Sequence, residues 1–309
     1  MSVPLISMFP ANLSSIIREP GKGGMEKRSL GKTGEKLSLI GFGGIVVDKA
    51  TTEQAAARVK EAIDHGINYF DVAPSYGNAE EMLGPALEPY RKDVFLACKT
   101  GERKREGARK ELEQSLKYLR TDHFDLYQLH AVTSLEDVDT IFAKGGAMET
   151  FVEAREEGKV KYLGFSAHSV EAAMALMDGF DFDTILFPFN YATWYAGNFG
   201  PQVMERAKEK QMGILALKAM AWRRWEEGEE RNIDKTWYKP HTKKKEAEEG
   251  LRFTLSHPVT AAIPPGHEDL FSMALGLARD FSPMNKEEIK AIKEKGMKTK
   301  PLFSYPMQT

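Results

Sequence analysis

Cysteine is almost missing from this sequence, since Cys98 is the only one in 309 residues. A lone cysteine cannot form a disulfide within the chain, and it cannot supply a four-cysteine zinc or iron–sulfur site. No run of 18 or more apolar residues is present, so we expect no transmembrane helix. Charge of one sign is not in excess either, because the formal net charge is −2. We therefore expect no broad attraction to nucleic acid or to an anionic membrane surface.

The first 24 residues lack the features of a secretory leader. Their apolar stretch is interrupted by Pro4 and Pro10, and no Lys or Arg precedes it. Met25 opens the stretch MEKRSLGKTGEKLSLIGFGG, whose pattern is that of a domain start. We expect residues 1–24 to be a flexible extension, or the result of an upstream start codon. We expect residues 25–309 to form the folded domain of a cytoplasmic protein.

What the sequence does contain is a regular alternation of short apolar runs and amphipathic segments. Runs such as residues 68–73, 94–100 and 124–130 are apolar without alternating, which is typical of parallel strands covered on both faces. Between them, segments such as residues 108–120 carry apolar side chains at helical spacing. Counted from residues 36–44, eight strand–helix units follow one another.

Eight such units favour a closed (β/α)8 barrel, because an open doubly wound sheet usually has five or six strands. The glycine pattern of a dinucleotide-binding doubly wound sheet is also incomplete. Gly41, Gly43 and Gly44 come close to it, but Val46 stands where its last glycine belongs. The predicted fold class is therefore α/β, a (β/α)8 TIM barrel, with an extra C-terminal helix over residues 286–296.

Polar side chains occur where four consecutive predicted strands end. Asp71, Lys99, His130 and Ser166 end the second to fifth strands, and Tyr76 follows on the loop after the second. Taken singly, most of them have an ordinary explanation. Asp71 could cap a turn and Lys99 could be a solvated charge. His130 could be a core histidine and Tyr76 a packed aromatic. Active sites of such barrels lie at the C-terminal ends of the strands, so the joint occurrence favours one shared site. Within it, Asp71 and Lys99 are natural ion-pair partners.

The segment GINYFDVAPSYGNAEEMLGPAL, which contains Asp71 and Tyr76, resembles the signature of the aldo-keto reductases. DLYQLH and GFSAHS resemble two further segments of that family, and RSLGKTGEKLSLIGFGG resembles its N-terminal hairpin and first strand. The resemblance extends over about residues 26–296. It implies a barrel preceded by a β-hairpin, and the NAD(P)H-dependent reduction of an aldehyde or a ketone.

The resemblance implies that Asp71, Tyr76, Lys99 and His130 are catalytic. Tyr76 would give a proton to the carbonyl oxygen as hydride reaches the carbonyl carbon. A free phenol has a pKa of about 10, and we expect the nearby Lys99 ammonium to lower the pKa of Tyr76. Asp71 would hold Lys99 in place, and His130 would hydrogen-bond the same oxygen and orient the substrate.

The resemblance also implies a cofactor site, which we expect at Gly44, Ile45, Asp71, Ser166, Ala167, Leu217, Lys218 and Gly266. This site departs from the family pattern, because an alanine stands at 167 in place of Asn, Leu186 in place of Gln, and Leu217 in place of an aromatic. An acidic pair at residues 268–269 would repel a 2′-phosphate, although the adjacent helix start favours an anion. We expect NADPH, as in the family, and NADH is the alternative.

Aromatic side chains are concentrated in two segments near the predicted site, residues 221–241 and residues 190–197. The first contains three of the four tryptophans and is either a solvated charged loop or a lid over the site. We expect the substrate to contact Trp194, Tyr195 and Trp222. His168 fits a pocket position and a structural position equally well.

Two other functions remain open at this point. One is a non-catalytic binding or regulatory protein that keeps the scaffold but has a degraded cofactor site. The other is an isomerase or lyase that uses Lys99 to form a Schiff base. No His, Asp or Glu residues have convincing metal-ligand spacing, so we expect no metal. The expected partner is a small carbonyl compound rather than nucleic acid or membrane.

Overall fold

The computed structural model describes residues 24–306. The predicted N-terminal extension, residues 1–24, lies outside this range except for Gly24. The strands are β1 (Lys27–Ser29), β2 (Lys36–Ser38), β3 (Phe42–Gly43), β4 (Tyr69–Asp71), β5 (Phe95–Thr100), β6 (Phe124–Val132), β7 (Val160–Ala167), β8 (Thr184–Pro188), β9 (Gly213–Leu217), β10 (Ala221–Arg224), β11 (Tyr238–Pro240) and β12 (Ala261–Ile263).

The helices lie mostly between the strands and cover the outside of the sheet. They are α1 (Thr52–Asp64), α2 (Ala79–Leu87), α3 (Arg105–Tyr118), α4 (Leu135–Phe142), α5 (Ala147–Glu156), α6 (Val170–Gly179), α7 (Tyr191–Tyr195), α8 (Pro201–Glu209), α9 (Lys244–Leu255), α10 (Glu268–Arg279) and α11 (Lys286–Met297). No helix within residues 24–306 is both long enough and apolar enough to cross a membrane.

Eight parallel strands form the central sheet in the order β3-β4-β5-β6-β7-β8-β9-β12. The two edges meet through a parallel bridge between Ile40 and Ala262. The backbone of Ala262 accepts a hydrogen bond from the Gly41 N–H at 3.0 Å and donates one to the Leu39 carbonyl at 2.8 Å. These bonds close the sheet, and the predicted (β/α)8 barrel is confirmed.

The N-terminal hairpin implied by the resemblance is also confirmed. It explains why the prediction of a single first strand over residues 36–44 is wrong. Residues 36–44 do not form one strand, because β2 pairs with β1 in the antiparallel hairpin and β3 alone enters the barrel. Leu30 and Leu37 of the hairpin are buried with the inward side chains of the barrel strands. The hairpin therefore contributes to the interior core of the barrel.

Side chains alternate between the barrel interior and the helix layer, as the period of two in a strand requires. The interior cluster contains Tyr69, Phe95, Ala97, Leu126, Leu186, Leu215, Ala261 and Ile263 from the strands. Two positions further along β4, β5 and β6, on the same face, stand Asp71, Lys99 and Gln128. An apolar interior therefore changes to a polar one towards the C-terminal ends of the strands.

The predicted C-terminal helix is confirmed as α11, which begins after a capping box. The Asn285 side chain accepts a hydrogen bond from the Glu288 N–H, and the Glu288 side chain accepts one from the Asn285 N–H. Three short elements were not predicted, namely α4, α7 and the β10–β11 hairpin. The helices α4 and α7 have only eight and five residues, too few for a clear helical period.

Candidate active site

Asp71 is the centre of a buried polar cluster in the barrel interior. Its carboxylate forms an ion pair with the Lys99 ammonium and accepts hydrogen bonds from the Tyr69 hydroxyl at 3.1 Å and the Gln128 side-chain amide at 3.0 Å. The exposed fraction is 2% for Asp71 and 0% for Lys99. Buried charges are stable only when they are paired and hydrogen-bonded, and both conditions are met here.

Lys99 connects this cluster to Tyr76. Its ammonium also donates to the Val72 carbonyl at 3.2 Å and to the Tyr76 hydroxyl at 3.4 Å, and it lies 4.9 Å from the centre of the Tyr76 ring. Burial lowers the pKa of Lys99, but the charges of Asp71 and Tyr76 outweigh it and the pKa is raised. Lys99 is therefore held as a cation beside the phenol oxygen.

The prediction of a lowered pKa for Tyr76 is wrong in its net sign. Burial raises the pKa of Tyr76, the Lys99 ammonium lowers it, and the Asp71 carboxylate raises it, so the pKa lies above its usual value. The lysine acts in the expected direction but does not overcome the loss of solvent. Tyr76 is consequently a neutral phenol at neutral pH, which is the protonation state that a proton donor needs.

His130 faces Tyr76 from the end of β6. The two rings lie edge to face with centroids 5.5 Å apart, and Nδ1 of His130 lies 3.3 Å from the Ser75 hydroxyl. Burial, and then the charge of Lys99, lowers the pKa of His130 to about 2, so the ring is neutral at physiological pH. The Arg103 guanidinium fixes the backbone by donating to the His130 carbonyl at 2.9 Å, and Asp137 pairs with Arg103 at 3.2 Å.

One cavity collects the four predicted catalytic residues and most of the predicted cofactor residues. Its lining includes Asp71, Tyr76, Lys99 and His130 together with Ile45, Ser166, Leu217, Lys218 and Gly266. The Ser166 hydroxyl accepts a hydrogen bond from the Ala131 N–H at 2.7 Å, so part of its bonding capacity serves to join β7 to the end of β6.

Two predicted cofactor residues, Gly44 and Ala167, do not line this cavity. Ala167 follows the inward Ser166, so its side chain lies on the opposite face of β7 and packs in the outer core. Gly44 packs against Val72, the residue after β4, because a Cβ at this position would lie 2.6 Å from Val72 Cγ2. The absence of a side chain at Gly44 therefore serves the close packing of two segments.

The three predicted substrate contacts, Trp194, Tyr195 and Trp222, do not line the cavity either. Trp194 and Tyr195 lie on α7 and pack against Phe253 of α9, with ring centroids 6.2 Å and 5.6 Å away. Trp222 stacks near His241 at 6.1 Å. The residues that do reach the cavity from the 221–241 segment are Lys235, Thr236, Trp237 and Tyr238.

The 221–241 segment forms a cover that is anchored by a hairpin and by ion pairs, while most residues between its two strands are exposed. Its strands β10 and β11 pair antiparallel, and Glu229 holds both Arg223 and Lys239 in ion pairs. Lys235 reaches across the barrel mouth and donates to the Val46 carbonyl at 3.2 Å and to Glu268 at 3.4 Å. The segment therefore spans from the end of β9 to the first turn of α10.

Sequence reasoning missed Gln128 and Lys235 and left His168 undecided. The alternation along β6 could have identified Gln128, because it lies two residues before His130 on the same face. Lys235 carries no sequence signal, since its position depends on the fold of the cover. His168 lines the cavity, and its Nε2 atom is buried without a hydrogen-bond partner among residues 24–306.

The cavity suits a nicotinamide dinucleotide in its chemistry. Such a cofactor carries phosphate charges and an amide group, and both need polar partners. The cavity lining includes Tyr76, Lys218, His168 and Gly266, and Nε2 of His168 has no hydrogen-bond partner among residues 24–306. Leu186 and Leu217 add apolar contacts only. No group of three or more metal-ligating side chains was found in the described part of the chain.

Curated relatives match large parts of the chain. Aldo-keto reductase YhdN of Bacillus subtilis is 29% identical over 248 residues, which cover 71% of this chain and 72% of that protein. L-galactose dehydrogenase of Arabidopsis thaliana is 28% identical over 213 residues, which cover 64% and 66%. The uncharacterized oxidoreductase YqkF of Bacillus subtilis is 34% identical over 157 residues, so the aligned part covers 46% of this chain and only 49% of that protein.

Solved structures share the fold. Aldo-keto reductase AKR11C1 from Bacillus halodurans superposes with a TM-score of 0.71 at 22% identity, covering 91% of this chain and 99% of that one. An aldo/keto reductase from Klebsiella pneumoniae in complex with NADP and acetate gives a TM-score of 0.69 at 20% identity, covering 92% and 99%. The sequence model described as the Aldo/keto reductase family matches residues 39–294. Because this match spans most of the chain, the protein belongs to the aldo/keto reductase family.

Proposed function

We propose that this protein is an oxidoreductase that reduces an aldehyde or a ketone with a nicotinamide cofactor. The observation that carries the proposal is the Tyr76 hydroxyl, 3.4 Å from a lysine ammonium that is itself paired with a buried carboxylate. Family membership supports the same chemistry. The proposal therefore includes both the substrate class, an aldehyde or a ketone, and the nicotinamide cofactor.

The roles of the side chains follow from their charges. When bound, the nicotinamide cofactor supplies the hydride that reduces the carbonyl carbon. Tyr76 gives its hydroxyl proton to the carbonyl oxygen, and the Lys99 ammonium stabilises the phenolate that remains. His130, neutral and fixed through Nδ1 by Ser75, donates from Nε2 to the same oxygen and orients it.

The contacts proposed for the cofactor are Ile45, Ser166, Leu217 and Gly266. Lys218 is available to an anionic group of either the cofactor or the substrate. NADPH is the proposed cofactor, supported by solved members of the fold that carry NADP or NADPH. Glu268 is already paired with Arg58 at 3.0 Å and with Lys235, which reduces its repulsion of a phosphate.

The Schiff-base alternative is disfavoured by the state of Lys99. A lysine that attacks a carbonyl must be neutral, and such residues have lowered pKa values. The ion pair with Asp71 raises the pKa of Lys99 despite its burial. The non-catalytic alternative receives no support from the cavity, because all four residues of the proposed catalytic set line it.

The test is a tryptophan fluorescence titration with NADPH and with NADH, followed by cofactor oxidation with a panel of small aldehydes and ketones. Trp237 lines the cavity, so we expect a saturable quench that Trp237→Phe reduces. Trp222→Phe is the matched control, because Trp222 lies away from the cavity, and it should keep the quench. Binding of neither dinucleotide would refute the proposal, and tight NADPH binding without turnover of any carbonyl would favour the non-catalytic alternative.

A further inference from the structure

Lys218 stands directly after β9 with an unusual backbone. Its φ angle is +66°, in the left-handed region that residues other than glycine seldom adopt. Residues kept in this region cluster at functional sites, where the surrounding structure compensates for the strain. The Lys218 side chain lines the cavity that contains Tyr76 and His130.

The Lys218 ammonium has no anionic partner in the part of the chain that the structure describes. The other two lysines of the cavity are paired, Lys99 with Asp71 and Lys235 with Glu268. Lys218 only lies over the rings of Tyr238 at 4.9 Å and Trp237 at 5.4 Å. Burial, and then the charge of Lys99, lowers the pKa of Lys218 to about 8, as expected for a cation without a counter-charge.

His168 contributes a second unsatisfied group to the same cavity. Its Nε2 atom is buried without a hydrogen-bond partner among the described residues, and its ring stacks on Phe303 with centroids 5.2 Å apart. Burial, and then the charge of Lys218, lowers the pKa of His168 to about 3, so the ring is neutral. A neutral imidazole carries one N–H donor, which can point at an anion.

We propose that Lys218 and His168 form a carboxylate subsite, and that the preferred substrates are carbonyl compounds bearing a carboxylate. This inference rests on the proposed function, because it deepens the account of the same cavity. One ammonium and one N–H donor match the single charge and two oxygens of a carboxylate. Lys218 and His168 line the same cavity as His130, so the subsite shares one space with the residue proposed to orient the reacting carbonyl. The diphosphate of a bound cofactor is the other anion that the Lys218 ammonium could bind.

The first test needs no turnover and uses benzoate as a carboxylate probe. Trp237 lies over Lys218, so benzoate should change the protein fluorescence in a saturable way without cofactor. Loss of a hydrogen bond to a charged group predicts a dissociation constant about 10- to 100-fold higher in Lys218→Met. Lys218→Asn should raise the dissociation constant in the same way. It is included because asparagine tolerates the left-handed backbone and so tests the loss of the ammonium without added backbone strain. Lys60→Met, on the exposed face of α1, is the control and should bind benzoate like the wild type.

The second test compares para-carboxybenzaldehyde with its methyl ester. The ratio of their kcat/KM values should favour the acid in the wild type and fall about 10- to 100-fold in Lys218→Met. His168→Leu should lower the same ratio, and His168→Gln, which keeps an N–H donor, should restore part of it. Benzoate binding that is unaffected by Lys218→Met would overturn the proposal. So would an unchanged ratio with a raised NADPH dissociation constant, because Lys218 would then serve the diphosphate. Benzoate binding at Lys218 without reduction of either aldehyde would retain the subsite and reject the proposed function.

Discussion

The most informative stability prediction concerns the buried ion pair of Asp71 and Lys99. Asp71→Asn keeps the shape of the side chain but removes the counter-charge of an ammonium with 0% exposure. Removing one partner of a buried pair costs about 3–5 kcal/mol, because the remaining charge is uncompensated. That is a large part of the roughly 5–15 kcal/mol that stabilises an ordinary domain.

The assay is equilibrium unfolding in urea together with the thermal midpoint. At about 1.5–2 °C per kcal/mol for a chain of roughly 300 residues, Asp71→Asn should lower Tm by roughly 5–10 °C. The matched control is Asp64→Asn, which breaks the exposed pair of Asp64 and Lys60. Exposed pairs contribute about 0–1 kcal/mol, so this control should unfold almost like the wild type.

A second substitution separates the charge effect from a general loss of packing. Lys99→Met in the Asp71→Asn background removes the uncompensated ammonium and leaves an unbranched apolar chain. The double variant should therefore be more stable than Asp71→Asn alone. The destabilisations of the two single variants would then not add, which means that the two positions have a large coupling energy. If Asp71→Asn and Asp64→Asn were equally stable, or if the double variant were the least stable of all, the electrostatic reasoning would be refuted.

Two further predictions concern the neighbours of this pair. Gln128→Met should destabilise the protein by about 1.5–3 kcal/mol in the same urea assay, because Asp71 loses a hydrogen bond to a charged acceptor; no change would mean that this bond is unimportant. The pKa of His130 is lowered to about 2, so the ring loses its proton far below neutral pH and stays neutral from pH 5 to 8. The ratio of wild-type to His130→Gln kcat/KM should therefore be constant over that range, and an inflection near the usual histidine pKa of about 6.5 would contradict this.

The sequence predicted which polar side chains meet in one cavity, because strand ends are local features. Asp71, Lys99, His130 and Ser166 each end an apolar run, and parallel strands in a barrel bring such ends together. The structure places all four in one cavity with Tyr76. Ala167 does not line that cavity, since neighbouring residues of a strand face opposite sides.

Other features depend on contacts between distant parts of the chain and could not be predicted. Trp194 and Tyr195 turn away from the cavity because α7 packs against Phe253, which is about sixty residues further along the chain. The pKa of Tyr76 depends on how far the folded protein removes the phenol from water, and burial is not visible in the sequence. The reach of Lys235 to Glu268 likewise requires the folded cover.

The central claim is that Tyr76 gives its proton to the carbonyl oxygen under the influence of Lys99. The direct measurement is single-turnover oxidation of bound NADPH by an aldehyde in Tyr76→Phe, with Tyr118→Phe as the control because its hydroxyl bonds only Gln114 on α3 among the described residues. Loss of a proton donor should slow the chemical step about 10²- to 10⁴-fold, while NADPH binding stays near that of the wild type. A near wild-type single-turnover rate in Tyr76→Phe would contradict the account.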